Sequence, residues 1–419
     1  MQPRYAGAMT KPAPSKYAMA FIFLTVLLDM VGFGLIIPVQ PALIEAVGHV
    51  NIGDASIIAG WMFFAFSATQ FLFGPALGSL SDAYGRRPLL LLAVFGLGVD
   101  YLITALAPTI FWLFVGRTLA GLCGASYVIA NAYIADITAP ENRAKAFGMM
   151  GAAFGLGFVI GPAIGGLLGA FGPRVPFYVA AGVSALNLGF GWFVLPETLG
   201  KDMRRPFDIV RANPIGTFKV FASYRNILPL SLILAIYFFA SSVYPAGWAF
   251  WGNAKYNWEP KTIGLTLACF GIVMAFVQGV LTGPAVKLLG ERGSAILGMA
   301  MAMICTIGFA NSPSLGFVLF FLVLHSPEGF VHPMLTSLMS KEVPGDAQGE
   351  LQGGISSIMS LAMLFGTVFY TQVFGYFLRP RAAITSPDVI FYIAGGFFGA
   401  TLVLFLIFYR PKSHELTAN

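Results

Sequence analysis

Charged side chains are scarce in this sequence. Of its 419 residues, 10% are charged and 57% are hydrophobic, whereas a soluble domain carries about 25% charged residues. A water-soluble fold of this size cannot bury so much apolar surface, which excludes an ordinary soluble enzyme or binding module. The chain also has no basic cluster on a polar domain, so its net charge of +6 does not indicate nucleic-acid binding.

Disulfide, metal and nucleotide motifs are missing too. The three cysteines, Cys123, Cys269 and Cys305, lie within apolar stretches without a CxxC or other metal spacing, so we interpret them as packing residues. No Gly-x4-Gly-Lys-Ser/Thr motif occurs, so the sequence has no phosphate-binding loop of this type for ATP. The sequence therefore predicts no catalytic centre, no metal site and no bound cofactor.

Long apolar runs fill the chain instead. Each is about as long as, or longer than, the roughly 20 residues that cross about 30 Å of hydrocarbon. Several exceed 25 residues, which predicts tilted helices or trimmed ends, and barrel-type alternation is absent. These runs predict an all-α integral membrane protein with twelve transmembrane helices in the lipid bilayer. The predicted spans are residues 17–44, 57–80, 88–107, 110–135, 144–171, 175–195, 227–251, 262–289, 293–311, 314–339, 349–377 and 387–409.

Successive loops alternate between many and few basic residues. If the N-terminus is cytoplasmic, 18 of the 24 Lys and Arg residues lie on the cytoplasmic side and 5 lie outside, with Arg117 inside a span. This bias predicts that both termini are cytoplasmic. The longest polar segment, 196–226, divides the spans six and six. It predicts an N-terminal half at 1–195, a linker at 196–226 and a C-terminal half at 227–419.

An internal repeat supports this division. The segments 78–87 and 283–292 both read Gly-x6-Gly-x-Arg at an offset of 205, and the same offset pairs Gly161 with Gly366. Two parallel halves of this kind form a transporter architecture with the substrate site between them. The repeat also inverts charge, since Asp82 and Asp136 correspond to Lys287 and Lys341. These charges either latch the halves together in one state or are ordinary solvated loop charges.

Three ionisable side chains lie inside spans of the first half: Asp29, Asp100 and Arg117. Each costs at least about 2.5–3.5 kcal/mol on insertion scales. Counted at about 1.5 Å per residue, all three reach a common level near the midplane. We interpret them as proton-coupling residues, with the two aspartates as proton carriers. The alternative is a static ion pair that fixes helix packing.

A second group lies in the tenth span, where His325, Glu328 and His332 are spaced three and four apart and are predicted to share one helix face. We hypothesise that Glu328 supplies a second titratable site or a cation contact for the substrate. A locally hydrogen-bonded polar cluster is the alternative. Pro327 and Pro333 distort the helix and disfavour a zinc site.

Four motifs are similar to those of a known family. They are Gly78-Ser-Leu-Ser-Asp82-Ala-Tyr-Gly85-Arg86-Arg87 after span 2, Gly116-Arg117-Thr-Leu-Ala-Gly121 in span 4, Gly157-Phe-Val-Ile-Gly161-Pro162-Ala-Ile-Gly165-Gly166 in span 5, and Asp29-Met-Val-Gly32-Phe-Gly34-Leu-Ile-Ile-Pro38 in span 1, with Val99-Asp100-Tyr101 in span 3. On these residues the chain resembles the major facilitator superfamily along nearly its whole length. Within that superfamily it resembles the drug:proton antiporters, closest to the tetracycline efflux class.

The resemblance implies gating motifs at the loop after span 2 and in span 5. Gly85 permits a tight turn, and Asp82 can either accept hydrogen bonds from a helix N-terminus or pair with an arginine. The glycines of span 5 line one face, so a neighbouring helix can approach closely, either as packing alone or as a flexing point. The predicted gating residues are Gly78, Asp82, Gly85, Arg86, Arg87, Asp136, Gly157, Gly161, Pro162 and Gly165.

The second half departs from the tetracycline class. Ala302 stands where that class has an Asp in span 9, and Met274 stands in place of a His in span 8, while Gln278 matches. The class carries its drug as a magnesium chelate, so the resemblance implies a divalent-cation chelate or another amphipathic molecule as substrate. The predicted substrate-binding residues are Gln70, Tyr127, Asn131, Tyr237, Gln278, His325, His332 and Gln372.

The sequence predicts a proton-coupled exporter of amphipathic small molecules, tetracycline-like or multidrug, with a proton gradient as its energy source. We expect a monomer in the bacterial cytoplasmic membrane. Export of an endogenous lipid or metabolite is the first alternative, and a receptor or sensor without transport is the second.

Trp248, Trp251 and Trp258 are predicted to anchor the membrane interface rather than to contact substrate.

Overall fold

The structure is a computed structural model of the chain. It describes residues 16–124, 126–138, 142–205, 207, 219–344, 347–380, 382 and 384–409. These residues form helices and connecting turns, and no strand occurs among them. Residue 206 and residues 208–218 of the predicted linker, the side chain of Tyr127 and both chain ends lie outside the described residues.

The helices of the first half follow the apolar runs. Pro38, Pro41 and Pro75 lie inside them, which membrane helices tolerate. Asn51 caps the second helix through its Oδ1, which accepts from the backbone N–H of Asp54 (3.0 Å). The helices are α1 (Lys16–Gly48), α2 (Ile52–Tyr84), α3 (Arg86–Leu106), α4 (Ile110–Cys123), α5 (Ser126–Ile137), α6 (Arg143–Gly169) and α7 (Val175–Val194).

The second half begins after a short helix in the linker. A π-helical turn (Val277–Leu281) follows α11, and a 3-10 turn (Ser326–Phe330) separates α13 from α14. The helices are α8 (Lys219–Ser223), α9 (Leu228–Ser241), α10 (Val243–Tyr256), α11 (Pro260–Phe276), α12 (Thr282–Ala310), α13 (Leu315–Leu324), α14 (Val331–Ser340), α15 (Gln348–Phe377) and α16 (Val389–Phe408).

Ten helical units in the described residues are long and apolar enough to cross a membrane, whereas the sequence predicts twelve. The difference has two sources. The unit Pro260–Ala310 has 51 residues, and Gly290 interrupts it with non-helical angles (φ 68°, ψ 173°). The 14 residues of α4 are too few alone, and α5 continues them after Gly124. The count of twelve and the side on which the termini lie stay predictions.

The internal repeat is visible in where the helices begin. Helices α4 and α6 begin at Ile110 and Arg143, and α13 and α15 begin one repeat offset later, at Leu315 and Gln348. Gly85 and Gly290, separated by the same offset, both adopt positive φ, at 109° and 68°. Glycine enters this region without the steric cost of a Cβ. Equivalent residues therefore turn the chain in the same way in both halves.

The halves touch along α2 against α15 and along α6 against α11. Ser56 Oγ donates to the carbonyl oxygen of Thr371 (3.2 Å). A Cβ built on Gly166 would lie 3.0 Å from the Cα of Gly264, so these backbones are in close contact. Ser56 lies near the start of α2, at the end remote from Gly85. The halves therefore meet at the end of the bundle that the charge pattern predicts to be extracellular.

The tryptophan prediction is wrong. Trp248, Trp251 and Trp258 are 4%, 0% and 6% exposed, so they are not interface anchors. Trp248 and Trp251 pack with 5.5 Å between ring centroids, and Trp251 Nε1 donates to Asp388 Oδ1 (2.7 Å). Helix α10 carries two of these rings and packs against α15 and α16, which buries them inside the second half.

Candidate functional site

Asp100 and Arg117 form a buried ion pair between α3 and α4. Asp100 is 0% exposed and Arg117 is 9% exposed. Thr104 Oγ1 donates to Asp100 Oδ1 (3.3 Å). A Cβ on Gly116 would lie 2.7 Å from the same oxygen, so the glycine leaves room for the carboxylate. The structure thus places these two predicted coupling residues in direct contact.

Asp29 has a different partner. The hydroxyl of Ser126 donates to Asp29 Oδ2 (2.5 Å), which links α1 to the first residue of α5. The hydroxyl end of Tyr101 packs against Gly32, one turn beyond Asp29, where it leaves no space for a Cβ. Asp29 and Asp100 are therefore neighbours through Tyr101, but Arg117 pairs with Asp100. Sequence reasoning missed Ser126, although a hydroxyl in an apolar run is a detectable signal.

The chain is interrupted beside Asp29. Helix α4 ends at Cys123, and Gly124 follows with φ −68° and ψ 5°. Gln70 Nε2 donates to the Gly124 carbonyl oxygen (3.0 Å). An interruption inside a membrane frees backbone groups that must be satisfied within the protein. Gln70, predicted to bind substrate, satisfies such a carbonyl in this structure.

The second half is interrupted at the equivalent position. Gly329 is the repeat counterpart of Gly124 and lies inside the 3-10 turn between α13 and α14. A Cβ on Gly329 would lie 3.3 Å from Cγ of Gln278, which belongs to the π-helical turn of the neighbouring helix. A glutamine therefore lies beside each interruption. Helices broken at corresponding positions of two repeats indicate a binding site, and π-helical turns are frequent at functional sites.

Glu328 is buried at this second interruption, at 6% exposure. Its Oε1 accepts a hydrogen bond from the hydroxyl of Tyr237 and a second from Ser241 Oγ (3.2 Å). Both donors lie on α9, so the carboxyl joins the 3-10 turn to that helix. Tyr237 was among the predicted substrate-binding residues, whereas Ser241 was missed.

His325 forms a neighbouring cluster and is 1% exposed. Its Nε2 lies 2.6 Å from the hydroxyl of Tyr244, which is 2.9 Å from Thr306 Oγ1. Its Nδ1 is buried without a hydrogen-bond partner. The rings of Phe270 and Phe309 lie with their centroids 6.0 and 5.9 Å from the His325 ring.

His332 does not share this face, contrary to the prediction. Its side chain is exposed, and its ring packs edge-on against Phe238 with 5.3 Å between centroids. The cause is the 3-10 turn, which has 3.0 residues per turn instead of 3.6. It aligns His325 with Glu328 but rotates His332 by about 80° relative to His325. The prediction assumed one continuous α-helix.

A cavity of about 190 Å³ lies between the halves, next to His325. Ser241, Tyr244 and His325 supply polar atoms, and Ser241 connects the wall to Glu328. Of the predicted substrate-binding residues, His325 lines the cavity. The rest of the wall is aromatic and aliphatic: Phe33, Ile37, Phe63, Phe158, Pro245, Trp248, Leu267, Phe270, Phe309, Leu322 and Met363.

The remaining predicted substrate residues lie elsewhere. Gln372 Nε2 donates to the carbonyl oxygen of Ile57 (3.4 Å) and so lies at the contact between the halves. Asn131 is half-buried and Gln278 is exposed. The side chain of Tyr127 lies outside the described residues. Their role in substrate binding stays a prediction.

The loop after α2 is organised around Arg86, which is 9% exposed. Its guanidinium contacts Asp82 (2.5 Å), Asp136 (3.2 Å) and Ser81 Oγ (2.6 Å). Ser81 Oγ also donates to the carbonyl oxygen of Gly78 (2.7 Å). The expected pairing of Asp82 with an arginine is confirmed.

A carboxylate missed by the sequence analysis completes this loop. Glu197 Oε1 accepts from the backbone N–H of Arg86 (2.9 Å), and its Oε2 accepts from that of Arg87 (3.3 Å). It therefore satisfies the first free N–H groups of α3. Arg87 Nη2 donates to the carbonyl oxygen of Trp192 (2.6 Å). Glu197 follows the sixth predicted span in sequence, and nothing local to it signals this contact.

The matching loop of the second half carries the opposite charges. Glu291 Oε2 and Lys341 Nζ are 2.8 Å apart, and these two residues are the repeat counterparts of Arg86 and Asp136. Each of these ion pairs lies within one half. The latch between the halves in one state stays a prediction, because in this structure the halves meet at the opposite end of the bundle.

The glycine stripe of α6 packs as predicted. A Cβ on Gly161 would lie 3.0 Å from the Cα of Gly34, and one on Gly165 would lie 2.8 Å from the Cα of Leu35. Gly157 meets α1 in the same way, so the face is shared with that helix. Helix α6 continues through Pro162. The flexing role of this motif stays a prediction.

Comparison with known proteins agrees with this architecture. The family model of the Major Facilitator Superfamily matches residues 22–367 and, in a second match, residues 230–419. The tetracycline resistance protein of class C from Escherichia coli is 38% identical over 86% of this chain and 90% of its own length. The class G protein from Vibrio anguillarum is 34% identical over 83% of this chain and 88% of its own.

A solved structure resembles the fold. The human organic anion transporter MFSD10 (TETRAN) superposes with a TM-score of 0.67, at 22% identity, over 93% of this chain and 99% of its own. At this identity the likeness concerns the fold alone. With the described helices, the comparisons identify a multi-span membrane transporter rather than an enzyme, and the bacterial relatives agree with an inner-membrane location.

Proposed function

The chain belongs to the major facilitator superfamily, and we propose that it is a proton-coupled exporter, working as an antiporter, of amphipathic small molecules. Its relatives are resistance proteins, which supports an exporter. The finer statement, that protons drive the export, rests on the charged residues of the first half.

The buried pair of Asp100 and Arg117 is the observation that carries this proposal. Burial favours the neutral form of a carboxyl, and a neighbouring arginine favours its charged form. These two influences oppose each other at Asp100, and Ser126 adds a hydrogen bond at the neighbouring Asp29. Opening the site to either side of the membrane changes both influences. A proton that loads outside can then leave inside.

The cavity supports the substrate part of the proposal. It lies between the halves, and its wall is mostly aromatic and aliphatic. Apolar walls with a few polar groups are typical of small-molecule sites. Glu328 lies behind Ser241 in this wall and is the proposed titratable group of the second half.

Reconstitution into proteoliposomes tests the proposal. With an imposed pH gradient, the protein is expected to move tetracycline, supplied with magnesium, or chloramphenicol against its concentration gradient. Asp29→Asn and Asp100→Asn should each lower gradient-driven transport at least tenfold. Asp202→Asn, at an exposed position outside the charge cluster, is the matched control. If both single variants keep full transport, the proton assignment is wrong.

A drug-sensitivity panel in an efflux-deficient host separates the remaining alternatives. An exporter of drugs is expected to raise resistance to several amphipathic compounds. Transport in proteoliposomes without any such resistance would favour an endogenous lipid or metabolite. Absence of transport in both assays would favour a receptor or sensor.

A further inference from the structure

The two halves pack one equivalent pair of helices differently. In the first half, the glycine stripe of α6 holds that helix against α1 over successive turns, and a Cβ on Gly157 would lie 2.5 Å from the Cβ of Met30. In the second half, α15 approaches α9 closely at Gly366, where a Cβ would lie 2.9 Å from the carbonyl oxygen of Phe239. One turn earlier, the repeat counterpart of Gly157 is Ala362, and there α15 and α9 part.

An apolar groove of about 470 Å³ lies where these two helices part. Helix α9 forms one wall with Ala235 and Ile236, α15 forms the other with Ile358 and Ala362, and α16 adds Phe397. Every residue of the lining is apolar, and the groove shares none of them with the central cavity. All three helices belong to units that are long and apolar enough to cross a membrane, so the groove lies at the depth of the bilayer.

Protein closes the groove at both ends. At one end the rings of Phe239, Phe369 and Phe397 pack on one another, with centroid separations of 5.1, 5.3 and 6.3 Å. At the other end α8 packs on α15 at Gly354, where a Cβ would lie 2.8 Å from the ring of Phe221. The groove is therefore a bounded site rather than a continuous furrow along the helices.

The side of the groove is open. Phe365 at its edge and Leu232, one turn from Ile236 on α9, are both 57% exposed. The exposed polar residues of α15, Ser356 and Ser360, lie about 140–180° around the helix from Phe365. The opening is thus on the apolar side of α15, which faces hydrocarbon in a membrane.

The size of the groove indicates what can fill it. From Ile358 to Phe365 the lining of α15 extends about 10 Å. A helix of a second protein, 10–12 Å across, would occupy about 800 Å³ over that length, which exceeds the volume of the groove. A single hydrocarbon chain is thinner, and the bilayer supplies such chains at this depth. An empty groove would leave its lining without dispersion contacts.

We propose that this groove binds one acyl chain of a membrane phospholipid between α9 and α15. The chain occupies, in the second half, space that direct helix contact removes in the first. Lipid tails are as apolar as the lining, so binding depends on the fit of the chain rather than on transfer out of water. The site is separate from the transported substrate and from the charged residues of the first half.

Photo-crosslinking locates the bound chain. The purified full-length protein is placed in nanodiscs that contain a phosphatidylcholine with a diazirine at the middle of one acyl chain, and labelled peptides are identified by mass spectrometry. Labelling is expected to be at least fivefold denser on residues 235–239 and 358–365 than around Ala185 and Leu186, which are exposed at mid-length of α7.

Substitutions that fill the groove sharpen the test. Ala362→Phe should reduce labelling of the groove at least fivefold, because the new ring takes the place of the chain. Ala185→Phe, the same change at an exposed alanine of α7, is the matched control and should leave groove labelling unchanged. If size-exclusion profiles show that Ala362→Phe does not fold, Ala235→Phe fills the groove from the opposite wall. Native mass spectrometry should show one retained phospholipid fewer on the filled variant than on the parent protein.

The contrary outcomes are distinct. Equal labelling of the groove and of α7 would overturn the inference, and so would groove labelling that the folded, filled variant leaves unchanged. A dimer in native mass spectra that Ala362→Phe dissociates would assign the groove to a second copy of the chain instead. Neither measurement involves transport, so failure of the exporter proposal would leave the acyl-chain site intact, and failure of this site would leave the exporter proposal intact.

Discussion

The two halves share a backbone plan but differ in where they place charge. Asp100 in the first half is paired with an arginine, whereas Glu328 in the second is held by two hydroxyls. An internally paired acid can respond to changes in its own surroundings. An acid without a counter-ion can respond to a charge that arrives. The two halves therefore differ in whether their buried acid has an internal counter-ion.

The loop after α2 and the matching loop of the second half also differ in where they place charge. Arg86 and Asp136 pair in the first half, and Glu291 and Lys341 pair in the second with reversed signs. A duplicated backbone therefore preserves the contact between two positions but not the sign of the charge at each. In each half the two opposite charges neutralise each other, whichever position carries the positive one.

The largest expected effect is a loss of stability at Asp100, the buried acid that has a counter-ion, in contrast to Glu328. Arg117→Leu leaves Asp100 buried without its partner, which should cost about 3–5 kcal/mol of stability. Replacing both residues by their second-half equivalents, as Asp100→Cys with Arg117→Leu, should recover most of that loss but not gradient-driven transport. Thermal unfolding in detergent and proteoliposome assays measure the two effects. A double variant as unstable as the single one would contradict the comparison.

A smaller effect is expected at the equivalent glycines Gly161 and Gly366. A Cβ on Gly366 would lie 2.9 Å from the carbonyl oxygen of Phe239, so both positions are crowded. Alanine at either should cost about 1–3 kcal/mol. Gly155 is the control, because a Cβ added there would meet no atom within 4 Å, and Gly155→Ala should be neutral or stabilising. If Gly366→Ala were tolerated and Gly161→Ala were not, a close approach of helix backbones would be required only in the first half.

The destabilisation caused by alanine should differ between the two repeat-related glycines of positive φ, Gly85 and Gly290. Gly85→Ala and Gly290→Ala both force an alanine into a region of positive φ and extended ψ (155° and 173°) that is essentially reserved for glycine, which costs about 1–3 kcal/mol. Gly85→Ala should cost more, because its Cβ would press on Glu197, whereas Gly290 faces open space. Unfolding midpoints of the two variants give the comparison. Equal losses would show that Glu197 moves aside without cost.

The smallest effect concerns the charge-inverted pair. Lys341 is 52% exposed in its side chain, so Lys341→Ala should cost about 0.2–1 kcal/mol. Exchanging the signs, as Glu291→Lys with Lys341→Glu, should restore the parent stability at low salt. High salt should reduce the difference between single and double variants. A double variant that stays destabilised would show that the sign matters beyond this pair.

Much of the fold could be predicted from the sequence. The apolar runs, the repeat offset and the loop motif predicted long helices, a duplicated architecture and an arginine–aspartate contact, because each depends on local residues and their spacing. The predicted pairing of Asp82 with an arginine held for this reason. The predicted face of His332 did not, because it depends on a 3-10 turn that the heptad-like spacing of three and four conceals.

Contacts between distant segments were beyond prediction. Glu197 caps α3 from more than a hundred residues away, and Trp251 is buried against Asp388. A tryptophan at a helix end looks the same in sequence whether a neighbouring helix covers it or not. The partner of Asp29 is likewise set by the interruption at Gly124.

The sequence by itself determined that this chain is a helical membrane protein built as a repeat, because the length of apolar runs and the position of glycines act locally on the backbone. Only the tertiary structure decided which buried acid has a counter-ion. That choice depends on which helices pack side by side and where each is interrupted, and both are settled by the packing of residues that lie far apart in the chain.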